Sequence, residues 1–369
     1  MNSTARKMNI LICAGIFPPD VGGPASYGRQ LAEALIARGH KVKVVTYSDK
    51  KLEDYYPFPV IRVTRSDFKP WHYFRYLLAI LRHGFGAEVL YVQDQVSAGY
   101  PTYLAGKILR KPLVIKITGD YSWEQATNRG FTNLSVDAFQ ASPSAAPTIR
   151  RIRRVQMRVI NSANIVIVPS QYLQNLVAKW GVPRERIKVF YNSVSVPEIS
   201  ESKADLRERF SIAPDEFLII SAGRNVKWKG FDLLREAASE LKAAHPKLRL
   251  LILSDLPQKT VHEYFKAADL FVLNSGYEGL SNTLVEALSV GVPIVSTSVG
   301  GNPEVLESGK NGILIEYNNR EQLKNAILKL YQDQGLRDGF VRNGLQAVGK
   351  FSFDNMINQT EQCLSEVIK

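Results

Sequence analysis

Leu270-Phe-Val-Leu273 is apolar at every position and only four residues long. A helix that short could not bury itself, and a half-exposed strand would alternate polar with apolar. The run therefore fits a strand covered on both faces, as in a parallel sheet. Related runs occur at Asn9 to Gly15, Lys41 to Tyr47, Val60 to Val63, Val89 to Val92, Leu113 to Ile117, Ile165 to Pro169 and Ile187 to Phe190. A second series comprises Phe217 to Ser221, Leu248 to Leu253, Pro293 to Thr297 and Gly312 to Glu316. Stretches with helical spacing separate most of these runs, among them Ser26–Arg38, Pro70–His83, Gly99–Leu109, Thr148–Ala163, Gln171–Trp180, Phe231–Ala244 and Val261–Ala268. Strands alternating with helices predict an α/β protein built on parallel sheets.

The length of 369 residues, 45% of them hydrophobic, supports two cores. Asn192 to Lys203 is a Ser/Val/Pro/Glu stretch without periodicity and reads as the link between domains. The expected domains are residues 1–195 and 196–350, with 351–369 a final helix; residues 1–7 read as a loose tail. Residues 127–147 read as a loop. Cys13 and Cys363 give neither a disulfide framework nor metal-ligand spacing, so a reduced cytoplasmic setting is the default. No apolar run approaches the ~18 residues of a membrane span.

Charge is unevenly placed within the net +12. Residues 1–192 hold 27 Lys and Arg against 12 Asp and Glu, a balance of +15, and the remainder balances at −3. Such a half suits an anionic surface, either membrane phospholipid or nucleic acid. In Thr148–Ala163 an apolar stripe of Ile149, Ile152, Val155 and Val159 faces a crowd of Arg150, Arg151, Arg153, Arg154 and Arg158. A basic amphipathic helix fits the inner membrane face. Nucleic acid is disfavoured, because no aromatic-plus-basic single-strand motif accompanies the charge. In Pro70–His83, Trp71, Phe74, Leu77, Leu78 and Leu81 share a face, which core packing explains.

The strand at Leu270 delivers Asn-Ser-Gly-Tyr-Glu278-Gly-Leu-Ser281, and a helix follows with Glu286 one to two turns inside it. Ser281 is the expected N-cap. The helix start offers free N–H groups to a phosphate. Carboxylates repel phosphate but accept from hydroxyls. A ligand with a phosphate centre and hydroxylated ends satisfies both demands. The loop Gly223-Arg224-Asn-Val-Lys227-Trp-Lys229 supplies cations suited to a diphosphate. In the first half, Gly22-Gly23 lets a ligand approach the backbone, yet lacks the G-x-G-x-x-G spacing of a dinucleotide site. Thr118 and Asp120 end the strand at Leu113, where open α/β sheets bind ligands.

These motifs, in this order, resemble the family-4 retaining glycosyltransferases of the GT-B fold. They are Phe17-Pro-Pro-Asp-Val-Gly-Gly-Pro, Val168-Pro-Ser, Gly223-Arg224 with Lys229-Gly230, Glu278-x₇-Glu286, and Val299-Gly-Gly-Asn-Pro-Glu. The resemblance runs from Asn9 to about Phe351. It implies two facing Rossmann-like domains around a cleft, with a nucleotide-diphosphate sugar held mostly by the second. Arg224 and Lys229 would grip the diphosphate, and Glu278 would contact the sugar beside the backbone of Gly279 and Leu280. Ser281 would cap the phosphate-binding helix, Glu286 would hold the ribose, and Gly22 and Gly23 would approach the phosphate. The last helix would cross back to the first domain. The acceptor would be a glycan or lipid-linked acceptor, configuration would be retained, and no metal or other cofactor would be needed. Polysaccharide biosynthesis is the process this suits. A nucleotide-sugar epimerase and an inactive sugar-nucleotide-binding homologue share that architecture.

Two departures carry expectations. Thr118 stands where many members have histidine, which passes the acceptor-positioning role to Asp120. Leu248–Leu253 runs almost directly into Ser254-Asp255-Leu256-Pro257, the expected base pocket, with about one helix and one strand missing. The second sheet is therefore expected to be one strand short.

Overall fold

The computed structural model describes residues 6–20, 22–49, 53–144, 146–194 and 196–368. Most of the expected tail, Val21 of the Phe17 motif, and one residue in each of the expected loop and link lie outside these. The chain forms two compact units. The first comprises residues to 169, 174–190 and 354 onward; the second comprises 170–173 and 191–353.

The first unit contains β1 (Asn9–Ala14), α1 (Gly23–Ala37), β2 (Lys41–Ser48), β3 (Val60–Thr64), α2 (Lys69–Gly84), β4 (Val89–Val92), α3 (Gly99–Leu109) and β5 (Leu113–Lys116). It continues with α4 (Tyr121–Asn128), α5 (Val136–Ala141), α6 (Pro147–Ser162), β6 (Ile165–Val168), α7 (Gln171–Lys179, whose first three residues belong to the second unit) and β7 (Ile187–Val189). Its strands pair in parallel in the order β3-β2-β1-β4-β5-β6-β7. Strands β4, β5 and β6 are buried at every residue, which is why their sequences do not alternate. α1 starts three residues earlier than Ser26. Gly22, at φ 154°, is its N-cap, and Pro24 sits in its first turn, where a missing N–H costs nothing. The loop expected over 127–147 contains the end of α4 and all of α5, which Ser135 caps.

Two helix faces are corrected. On α2 the residues turned to the core are His72, Tyr76, Ile80 and Gly84. Tyr76 donates to the carbonyls of Ala14 (3.0 Å) and Val45 (2.7 Å), which ties the helix to β1 and β2. Trp71, Phe74 and Leu78 face solvent, at 50%, 46% and 46% exposure, instead of packing in the core. On α6 the buried set is Ile149, Gln156, Val159 and Ile160. Arg150, Arg151, Arg154 and Arg158 are exposed on the opposite arc. Arg153 departs from them. It turns inward over the Phe139 ring and donates to Gln140 (3.2 Å), so it is set apart from the exposed arginine face.

The second unit contains α8 (Lys203–Arg209), β8 (Phe217–Ala222), α9 (Phe231–Ala244), β9 (Leu248–Leu253), α10 (Gln258–Ala267), β10 (Leu270–Leu273) and α11 (Asn282–Val290). Then come β11 (Ile294–Thr297), α12 (Asn302–Val305), β12 (Ile313–Ile315), α13 (Arg320–Gln332) and α14 (Gln334–Ala347). The last helix, α15 (Phe353–Val367), packs in the first unit, where Glu361 accepts from Arg38 (2.5 Å) and lies 2.8 Å from His40. The second sheet has five parallel strands in the order β12-β11-β10-β8-β9. A doubly wound sheet of order 3-2-1-4-5-6 that lost its third strand would show this order. The four-residue turn 254–257 leads from β9 straight into α10, with Asp255 in the left-handed region at φ 56°. Aspartate tolerates that conformation better than most residues. Among the described residues, β9 has no outer neighbour in the sheet.

Candidate active site

In the second sheet the chain leaves β8 toward β9 in one direction and later continues from β10 in the other. The gap between β8 and β10 is thus the topological switch point, where loops at strand C-terminal ends open a crevice. The loop after β8 carries Arg224 and Lys229, and the loop after β10 carries Glu278. The two loops are tied together. The Gly276 N–H donates to the Trp228 carbonyl (2.6 Å), and Asn274 Nδ2 donates to the Gly230 carbonyl (2.9 Å). Gly230 lies at φ 61°, and a Cβ there would stand 2.1 Å from the Asn274 carbonyl oxygen. Only glycine allows this approach.

The charges then meet. Lys229 Nζ donates to Glu278 Oε1 at 2.6 Å, with the two side chains 12% and 13% exposed. Arg224 is exposed, and no ion pair holds it among the described residues. One loop thus presents a seated cation and an unengaged one. Ser281 caps α11 by accepting from the Leu284 N–H (3.3 Å), and Leu280 is buried beside it. Ser170 Oγ donates to the Gly279 carbonyl at 2.6 Å.

Glu286 points at α10. Gln258 Nε2 donates to its Oε1 at 2.8 Å, and His262 Nε2 lies 3.5 Å from Oε2 without a hydrogen bond. Sequence reasoning did not single out Gln258 or His262. Their spacing at i and i+4 on one helix face was the available signal, but nothing in the sequence pairs that face with α11. Ser254 is half-buried and Asp255 and Leu256 are exposed, in the turn just before α10.

The Val299-Gly-Gly-Asn-Pro-Glu motif supports the loop instead of offering side chains to a ligand. A Cβ on Gly300, at φ 57°, would stand 1.8 Å from the Glu278 carbonyl oxygen, and one on Gly301 would stand 2.4 Å from that of Gly279. The Gly301 N–H donates to the Glu278 carbonyl (3.0 Å). Asn302 Nδ2 holds the Thr297 carbonyl (3.1 Å), and Glu304 accepts from the amides of Gln171 (2.8 Å) and Tyr172 (2.9 Å). Gly300→Ala is expected to cost at least ~2 kcal/mol, from left-handed strain plus displacement of the Glu278 loop. Denaturant unfolding checks this; an unchanged midpoint would mean that the loop yields freely.

In the first unit, Thr118 is exposed and Gly22 and Gly23 open α1. Asp120 is corrected. It is fully buried and accepts from Ser122 N (3.0 Å), Ser122 Oγ (2.7 Å), Trp123 N (3.2 Å), Gln156 Nε2 (3.1 Å) and Gln140 Nε2 (2.9 Å). With Arg153 Nη1 at 3.9 Å as well, the carboxylate has no face left for an acceptor hydroxyl. It caps α4.

Two units built on parallel sheets of seven and five strands, together with their solved structural neighbours, give the GT-B fold class. A Glycosyltransferase Family 4 model matches residues 21–197, and a model of glycosyl transferases group 1 matches residues 252–347. The chain belongs to this group and is a glycosyltransferase. It is 22% identical to the N-acetyl-alpha-D-glucosaminyl L-malate synthase of Bacillus anthracis, over 95% of this chain and 96% of that one. It is 24% identical to the alpha-monoglucosyldiacylglycerol synthase of Acholeplasma laidlawii, over 88% and 89%. The Anabaena HepE crystal structure in complex with UDP-glucose superposes at a TM-score of 0.76 with 21% identity, over 97% of this chain and all of that one.

Proposed function

We propose that the protein moves a sugar from a nucleotide-diphosphate donor to a glycan or lipid-linked acceptor with retention of configuration. The observation that carries this is the Lys229–Glu278 pair at the switch point, with Arg224 unengaged on the same loop. Glu278 holds the Lys229 ammonium where a diphosphate can compete for it. Arg224, Lys229 and the capped start of α11 then offset the charge that develops on the leaving diphosphate as the anomeric C–O bond breaks. The acceptor oxygen bonds to the anomeric carbon on the same face, and its proton passes to the departing phosphate. Glu278, freed from Lys229, accepts from sugar hydroxyls. Glu286, steadied by Gln258, accepts from the ribose. No protein nucleophile and no metal enters this scheme. HepE in complex with UDP-glucose supports a donor of this chemical class. The two relatives, an N-acetyl-alpha-D-glucosaminyl L-malate synthase and an alpha-monoglucosyldiacylglycerol synthase, carry unlike products in their names, which supports a choice of acceptor that varies among similar chains.

On this reading the acceptor side faces an anionic membrane surface, which the charge of the exposed α6 arginines supports. No helix among the described residues is long and apolar enough to cross a membrane.

A thermal-shift series with nucleoside diphosphates and their sugars tests the donor reading. A true donor near 100 times its Kd adds about 2.7 kcal/mol by mass action. Arg224→Ala is expected to weaken donor binding roughly 10- to 100-fold, as for loss of a charge-assisted hydrogen bond. Equal binding by the variant would remove Arg224 from the site.

A further inference from the structure

α2 carries two apolar stripes on opposite sides, and only one is packed. The solvent stripe runs through Trp71, Phe74 and Leu78, opposite Tyr76 and Ile80, and the cap residues Phe68 and Phe85 flank the two ends of the helix. Phe68 and Phe85 are 68% and 79% exposed. The rings of Trp71 and Phe74 lie 5.6 Å apart, so the stripe is continuous at its start. An aromatic row of this length turned to water is costly unless something covers it.

Its surroundings indicate what. The connections β3–α2–β4, β4–α3–β5 and β5–α6–β6 all step the same way across the sheet, and right-handed crossovers then put α2, α3 and α6 on one face. α2 packs on α3, and α3 packs on α6. Not one Asp or Glu occurs in these three helices, which hold three, one and five Lys or Arg. The face is therefore an aromatic ridge beside a predominantly cationic field, with Glu124 of α4 and Asp137 of α5 the acidic residues that the same β5–β6 crossover adds. A second copy of this chain is a poor occupant, since a symmetric contact would set like charges against each other. An anionic bilayer meets both demands at once. Phospholipid headgroups complement the arginines, and the acyl boundary receives the ridge.

We infer that α2 is a membrane-insertion element that lies in the bilayer interface with Trp71, Phe74 and Leu78 below the headgroups while the α6 arginines bind anionic lipid. This rests on the membrane-surface reading above and adds the apolar contact to it.

The test uses the full chain and phosphatidylcholine vesicles with and without phosphatidylglycerol, some carrying brominated acyl chains. Trp123, Trp180 and Trp228 are at most 8% exposed, so quenching by bromine reads Trp71. The expected result is co-sedimentation with the anionic vesicles, quenched tryptophan emission, and loss of that quenching in Trp71→Phe with sedimentation retained. The double variant Phe74→Ser, Leu78→Ser is expected to bind roughly tenfold or more weakly, while its donor-induced thermal shift is unchanged. Sedimentation without quenching would overturn insertion and leave the surface reading standing. Absence of sedimentation at low salt would overturn both. A dimer that Trp71→Ser dissolves, with no vesicle binding, would assign the ridge to a second copy and overturn the inference.

Discussion

Lys229→Met is expected to lower sugar transfer by roughly two to three orders of magnitude, the usual cost of removing one preorganised donor from a developing anion. The variant also leaves the Glu278 carboxylate largely buried and unpaired, and breaking such a pair costs on the order of 3 kcal/mol. Activity loss alone could then reflect a weakened fold. The double variant Lys229→Met, Glu278→Gln separates the two effects. A neutral amide beside methionine needs no counter-charge, so stability should recover by most of that amount while transfer stays low. Denaturant unfolding and initial rates, taken on the same preparations, read the two quantities. If stability and rate recover together, the pair holds the fold and carries no chemistry. If Lys229→Met alone transfers at the normal rate, the diphosphate is held elsewhere.

Lys116→Met is expected to stabilise the protein by roughly 2–4 kcal/mol at pH 7 and below. Lys116 sits on β5, 3% exposed, with Nζ lying 3.7 Å from the centroid of the Tyr27 ring. No hydrogen-bond partner reaches that nitrogen among the described residues. Burial pushes its pKa from 10.5 down to about 7. The ring face returns part of the lost hydration by cation–π attraction, hence the lower end of the range. Between pH 7 and 10.5 the unfolded chain holds a proton that the folded one has released, so stability rises with pH across that window. The penalty is fully present below pH 7 and gone above 10.5. The advantage of Lys116→Met should therefore shrink as pH rises from 7 toward 10. Paired denaturant titrations at several pH values check this, and a constant advantage would mean that Lys116 keeps its proton in the fold.

The strands were legible because most are short and dominated by apolar residues, β4, β6 and β10 at every position. Ser281 was legible as a cap, and Glu278 and Lys229 as loop charges, because each belongs to a local strand–loop–helix pattern. Periodicity failed where it had to choose a side. It grouped Trp71, Phe74 and Leu78 correctly on one face of α2, but His72, Tyr76 and Ile80 form an equally regular stripe. Only the tyrosine hydroxyl reaching the Ala14 and Val45 carbonyls decides which stripe goes inward. Asp120 misled for a related reason. A carboxylate after a parallel strand can face a ligand or cap the next helix. The deciding partners, Gln140 and Gln156, lie 20 and 36 residues away. Arg153 was counted with its neighbours because charge averages over a helix, whereas its own azimuth turns it toward Gln140 and Asp120. The Gln258 and His262 contacts with Glu286 are tertiary: the i and i+4 spacing places the two on one face of α10, but does not say that the face meets α11.

The shortened second sheet has a mechanical meaning. Hydrogen-bond ladders are severed least by trimming at the margin. Removing a terminal strand exposes one rim, while removing an inner one would cut the sheet in two. The rim lost here lies beyond β9, and the crevice opens between β8 and β10, so the trimming stops one strand short of the chemistry. The site and the rim can therefore change independently. What the trimming leaves behind is a row of amide and carbonyl groups along β9, half-buried from Arg249 to Ile252, with no charged overhang from Leu250 onward. A naked rim of this kind is where a folding chain is most open to capture by another strand.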